Sequence, residues 1–144
     1  MRILVINGPN LNLLGTREPA LYGQESLKEI EADLIREGTQ LGVEVQCFQS
    51  NHEGEIIEAI QSCATTADGL ILNPAGYGHT SVAIRDALLA VATPTVEVHL
   101  TNLARREEFR RRTLTGDVAI GQISGFGAYG YRIALAALVN HLSR

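Results

Sequence analysis

Lysine occurs once in this 144-residue chain, at Lys28; the other eleven basic residues are arginines. Lys28 falls on the solvent side of a helical pattern, away from its apolar stripe. Covalent catalysis through a lysine needs burial to depress the amine's pKa, so this scarcity argues against Schiff-base chemistry. Cysteine is nearly as scarce. Cys47 and Cys63 lie far apart, with no C-x-x-C spacing, and are expected to be reduced, mostly buried structural residues. No apolar run approaches the ~20 residues that span a bilayer. The N-terminus runs straight into a strand pattern with no cleavage signature, so the expectation is a cytoplasmic protein that engages no membrane. A net charge of −4, spread among 16 acidic and 12 basic residues, offers no general attraction to nucleic acid. The phosphate-binding G-x-x-x-x-G-K-[ST] loop, a G-x-G-x-x-G after the first strand and the G-x-S-x-G elbow are all missing. There is no linker, repeat or low-complexity segment, so residues 1–144 read as one domain.

What is present is a strict alternation of strand and helix patterns. Short Val/Ile/Leu-rich runs at 2–7, 43–48, 69–73, 94–99 and 118–123 have the composition of strands covered on both faces. Between them, 26–41 opens with a Ser26/Glu29 capping box, shares an apolar face among Leu27, Ile30, Leu34 and Leu41, and stops at Gly42. A second helix is expected over about 53–64, through Ile56, Ile57 and Ile60, with Gly54 weakening its first turn. A third, over 81–91, carries Ile84, Ala87, Leu88 and Val91 at i, i+3, i+4 and i+7. A short charged helix is expected over 103–112, and a last one over 129–142 with Leu135, Leu138, Val139 and Leu142 in register. Five β-α units in series imply an α/β protein with parallel strands and right-handed crossovers. The doubly wound five-stranded sheet of order 2-1-3-4-5 is the common solution at this size.

Such sheets bind ligands beyond the carboxyl ends of their strands, near the switch in strand order. The polar residues gather there. The connection after the first strand is long and carries Asn10, Arg17 and Tyr22, as a lid would. A phenol, ordinarily ionising near pH 10, is a poor base at neutral pH, but a guanidinium beside it favours the phenolate. Glu97 and His99, two apart on a strand, point to the same side of the sheet, where the carboxylate can orient the ring and favour its protonated form. After the third strand come Asn73, His79 in a glycine-containing turn, a helix entrance capped by Thr80 or Ser81, and Asp86. Leu100 and Thr101 follow His99 toward another helix entrance suited to a carboxylate, with Arg110 beyond and Phe109 expected to pack. Read singly, each group also fits a bland role: a tyrosine packing a loop, a structural histidine, turn and cap residues, a solvated charged face. No metal-ligand spacing joins His79, His99, Glu97 and Asp86.

Taken together, segments 7–23 (NGPNLNLLGTREPALYG), 73–87 (NPAGYGHTSVAIRDA) and 97–110 (EVHLTNLARREEFR), with 121–131 (GQISGFGAYGY), resemble the type II 3-dehydroquinate dehydratases over essentially the whole chain. The resemblance implies a flavodoxin-like fold and the reversible loss of water from 3-dehydroquinate to give 3-dehydroshikimate through an enolate. That step belongs to the shikimate pathway of aromatic amino-acid biosynthesis. No metal or organic cofactor is implied, and the implied assembly is a homododecamer built from trimers. By resemblance Tyr22 is the base, Arg17 stabilises its phenolate, Asn10 organises a water or the enolate oxygen, His99 is the general acid and Glu97 polarises it. Asn73, His79, Asp86, Leu100, Thr101 and Arg110 match the substrate-binding positions, Asp86 partly across a subunit boundary. Thr101 stands where many relatives have serine, and 111–117 departs from the usual histidine- and serine-containing form. The fold alone would equally permit a flavodoxin-like module that binds a flavin or a phosphorylated ligand.

Overall fold

A computed structural model describes residues 1–16 and 18–144. Five parallel strands, β1 (Arg2–Asn7), β2 (Glu44–Gln49), β3 (Gly69–Asn73), β4 (Thr95–His99) and β5 (Gly121–Ser124), form one sheet of order β2-β1-β3-β4-β5. The expected α/β doubly wound architecture is therefore present. Alternation along the strands divides the core. Ile3 and Val5 of β1 and Ile71 of β3 face one side, under α2 (Leu27–Gln40) and α5 (Tyr129–Leu142). Ile6, Leu70 and Leu72 face the other side, under α3 (Glu53–Thr66) and α4 (Val82–Val91). Successive strand residues must point oppositely, so a sheet covered on both faces needs these unbroken apolar runs.

The helix starts follow local chemistry. Ser26 accepts from Glu29 N while Glu29 returns a bond to Ser26 N, the reciprocal cap expected of this pair. Of the two residues read as candidate caps for α4, Ser81 performs the task, accepting from Ile84 N at 2.9 Å. Leu41 sits at the C-cap of α2 and is exposed rather than buried with Leu34. The long connection after β1 contains a 3-10 turn at Leu11–Leu13 and a four-residue helix, α1 (Pro19–Tyr22), with Pro19 at its first position, where its missing N–H is harmless.

The charged segment, Phe109 and the start of the last strand depart from expectation. The charged segment 103–112 is not one helix but two 3-10 turns, Leu103–Arg105 and Glu108–Arg110, broken at an extended Arg106. With only Leu103 and Phe109 as large apolar residues it lacks a stripe to dock, and Phe109 is 66% exposed instead of packed. The last strand starts three residues late, because Gly116–Val118 close a 3-10 turn before the ladder with β4 begins at Gly121. Cys47 is half-buried and Cys63 buried, both free thiols.

Candidate active site

β1 and β3 end side by side, Asn7 paired in register with Asn73, and their loops diverge over the carboxyl edge of the sheet. The loops can meet there only because residue 8 is glycine: a Cβ at Gly8 would stand 2.5 Å from Pro74 O. Among the described residues a cleft of about 130 Å³ opens at this edge. Asn10, Tyr22, Asn73, His79, His99, Leu100, Thr101, Arg106 and Arg110 contribute to its wall. Eight of the eleven residues singled out from the sequence thus converge on one cavity. A wider recess of about 690 Å³ adjoins it, sharing Tyr22, Leu100, Thr101 and Arg106.

The other three stand differently. Glu97 lies behind His99. Asp86 is exposed on α4 and takes no part in the cleft wall of this chain. Arg17 lies outside the described residues.

Glu97 and His99 leave β4 on the same side, as their spacing requires, and His99 Nε2 comes within 3.1 Å of Glu97 Oε2. Glu97 is fully buried. A lone buried carboxylate would be driven to protonate, so its partners decide its state. Thr113 donates to Oε2 at 2.6 Å, Gln122 donates to the same oxygen, and Thr115 donates to Oε1. Gly116 leaves the room for Gln122, since any side chain there would collide with it. Burial pushes the carboxyl up, but the hydrogen bond and charge of His99 and the two threonine hydroxyls outweigh it, holding Glu97 below the usual carboxylate range. Glu97 is therefore a fixed anion at neutral pH. It takes His99 by one nitrogen and leaves Nδ1 as the ring's other group.

His79 arrives through the 3-10 turn Ala75–His79. Its Nδ1 lies 2.9 Å from Arg112 O. A carbonyl can only accept, so Nδ1 carries the hydrogen and the neutral ring keeps Nε2 as an acceptor. The His79 and His99 rings stack, their centroids 6.3 Å apart. Asn10 occupies the left-handed region at φ 69°, where asparagine is among the few tolerated residues, and its backbone N–H donates to Asn51 Oδ1 at 2.9 Å. Among the described residues no group of three or more His, Cys, Asp or Glu side chains gathers as a metal site would require.

Arg106 was not foreseen. Its guanidinium donates to Thr101 Oγ1 at 2.9 Å and to the Tyr22 hydroxyl at 3.2 Å, and lies 5.5 Å from the Tyr22 ring centre. It thereby joins the lid to the loop after β4. A guanidinium thus stands against the phenol oxygen, the placement the sequence suggested for Arg17. Arg110 pairs with Glu107 through Nε at 2.9 Å and also reaches the cleft. The cleft thus offers two guanidiniums and two imidazoles, with the Glu97 carboxylate hidden behind His99 and that of Glu107 set against both arginines. That balance suits an anionic ligand and provides an acid at one wall and a phenol at the other.

Residues 1–139 match the family model described as dehydroquinase class II. A curated 3-dehydroquinate dehydratase from Geotalea daltonii is 52% identical over 144 residues, covering all of both chains. Another from Carboxydothermus hydrogenoformans is 54% identical over 144 residues, all of this chain and 94% of that one. The crystal structure of a type II dehydroquinase from Butyrivibrio crossotus superposes with a TM-score of 0.94 at 46% identity, covering 97% of each chain.

Proposed function

Because the chain belongs to the dehydroquinase class II family, we propose that its cleft dehydrates 3-dehydroquinate to 3-dehydroshikimate with Tyr22 as base and His99 as acid. The observation that carries these roles is the pairing itself: a phenol under a guanidinium and an imidazole backed by a buried carboxylate, both on one small cavity.

The reaction makes two demands. Loss of a proton beside the ketone builds negative charge on the carbonyl oxygen, and the hydroxyl two carbons from that oxygen-bearing carbon can leave only if it is protonated. Tyr22, its oxygen held by the Arg106 guanidinium and with Arg17 of the same loop as a second cation, acts as base and takes the proton from carbon. The electron pair moves onto the ketone oxygen, and Asn10 provides an amide for that enolate or for a water that solvates it. The enolate then expels the hydroxyl as His99 donates its proton to the departing oxygen, so water leaves and the conjugated enone remains. Glu97 stays ionised throughout and keeps the imidazole oriented. Solvent returns a proton to His99 and removes one from Tyr22. Arg110, with Leu100 and Thr101, is suited to the substrate carboxylate, and Asn73 and His79 to its ring hydroxyls.

Residues 1–144 act on this reading as a single catalytic domain, in the cytoplasm, within the shikimate pathway. Asp86 takes no part in the cleft wall of its own chain. It sits between exposed Val82 and Leu89 on one face of α4, at i, i+4 and i+7. An apolar face with a carboxylate at its centre supports a homo-oligomer, a dodecamer, in which Asp86 serves a neighbouring cleft. The same family membership favours catalysis over a flavin- or phosphate-binding module. Among the described residues no helix is long and apolar enough to cross a membrane.

The direct test mixes chelator-treated protein with 3-dehydroquinate and follows the enone product by ultraviolet absorbance. Steady product formation is expected. Absence of any signal would overturn the proposal.

A further inference from the structure

At the switch point, where Asn7 and Asn73 stand in register at the ends of β1 and β3, a third polar group enters from the opposite end of the chain. Tyr131, in the first turn of α5, is fully buried, and its hydroxyl lies between the two asparagine side chains. It is 2.6 Å from Asn7 Oδ1 and 2.9 Å from Asn73 Nδ2. A phenol has one hydrogen. Since Asn7 Oδ1 can only accept and Asn73 Nδ2 can only donate, the hydrogen must point to Asn7, and the phenol oxygen must accept from Asn73. Burial raises the phenol's ionisation well above its ordinary range, so the hydrogen stays in place. Asn73 Oδ1 is taken as well, by the backbone amide of Ala75 at 3.1 Å.

These three bonds remove the usual ambiguity of an amide. Turned over, Asn73 would set its NH₂ against Ala75 N–H. Its oxygen would then face a Tyr131 hydrogen already engaged by Asn7. One amide hydrogen of Asn73 remains for the cleft it lines. We propose that Tyr131 is a positioning residue that locks Asn73 as a hydrogen-bond donor toward the substrate, so that Asn73 recognises only an acceptor oxygen there. This rests on the reading of the cleft as the 3-dehydroquinate site. It adds a residue from α5 that never touches the substrate, and a polarity for Asn73.

The test is a double-mutant cycle on purified full-length protein, with KM, kcat and Tm for wild type, Tyr131→Phe, Asn73→Ala and the double variant. Tyr131→Phe keeps the ring and removes only the bridge. Its KM is expected to rise about fivefold or more, the effect of one ordinary hydrogen bond, while kcat changes less. In the Asn73→Ala background the same substitution should leave KM unchanged, because no amide remains to be positioned. An equal rise in KM in both backgrounds, or a lowered Tm with unchanged KM, would overturn the role of Tyr131 alone. Wild-type turnover with a fully active Asn73→Ala would overturn the placing of Asn73 against substrate and the role of Tyr131 together. Should Tyr131→Phe fail to fold, Asn7→Ala carries the same test. It leaves the ring in place and removes the acceptor that holds the phenol hydrogen, so the phenol no longer fixes which end of the Asn73 amide faces it; a raised KM that vanishes in the Asn73→Ala background supports the lock, and an unchanged KM overturns it.

Discussion

Replacing Glu97 by glutamine removes one charge from a site that nothing else can neutralise in the same way. In the folded protein Oε2 accepts from Thr113 and Gln122 and faces His99 Nε2 at 3.1 Å, while Oε1 accepts from Thr115. A glutamine keeps one oxygen. Placed at the Oε1 position it retains Thr115, but its NH₂ then meets the Gln122 amide donor to donor, and His99 loses its anion. The loss of one charge-assisted contact, about 1.5–3 kcal/mol, with one ordinary hydrogen bond, about 1 kcal/mol, puts the destabilisation at about 2.5–4 kcal/mol. For a domain near this size that lowers Tm by roughly 5–15 °C. Without the carboxylate the ring loses the contact that orients it as the acid, so kcat should fall by about 10²–10⁴. Thermal unfolding and the enone assay read the two effects separately. The pH dependence gives a third reading. A carboxyl held below its unfolded value of 4.5 contributes stability that is complete above that value and is lost as pH falls through the lower folded value. The Tm gap between wild type and variant should therefore be widest above pH 4.5 and close on acidification. A variant that melts within about 2 °C of wild type at neutral pH and keeps most of its kcat would refute the picture of Glu97 as a structurally committed anion.

Tyr22→Phe should lower kcat by about 10²–10⁴ with an unchanged circular dichroism spectrum, and a variant that keeps half its activity would mean the base lies elsewhere. Arg106→Ala should lower kcat/KM by about 10–100-fold, and Arg106→Lys should restore little of it, because one ammonium cannot hold Thr101 and the Tyr22 oxygen together as a planar guanidinium does; full rescue by lysine would reduce Arg106 to a general positive charge. Burial, with the charge of Glu31 behind it, pushes the Cys47 thiol up to about 12, and burial pushes Cys63 up to about 11. A disulfide reagent at pH 7.5 should accordingly label neither until denaturant is added, and rapid labelling of the folded protein would contradict the packing of both.

Features determined within a few residues were legible in the sequence. The Ser26/Glu29 cap, the α5 stripe and the shared face of Glu97 and His99 depend on spacings of two to four residues, which no tertiary contact can alter. The site residues written in those loops converged for the same reason: parallel β-α units must deliver every strand end to one edge. What escaped was made by contacts across many units. Arg106 sits in a run of arginines that composition cannot tell apart, and only the fold brings it to Tyr22, 84 positions earlier. Thr113, Thr115 and Gln122 gather on Glu97 from 16 to 25 positions away, and Tyr131 reaches Asn7 over 124. A signal for them did exist. A glutamate in the middle of a strand expected to be covered on both faces cannot be left bare, so donors had to be found near the ends of the flanking connections. The threonines and glutamine between β4 and the end of β5 were the available ones. Asking where each buried polar group must find its partner would have pointed to the cage around Glu97, and, with Asn7 and Asn73 closing two central strands, to a hydroxyl like that of Tyr131.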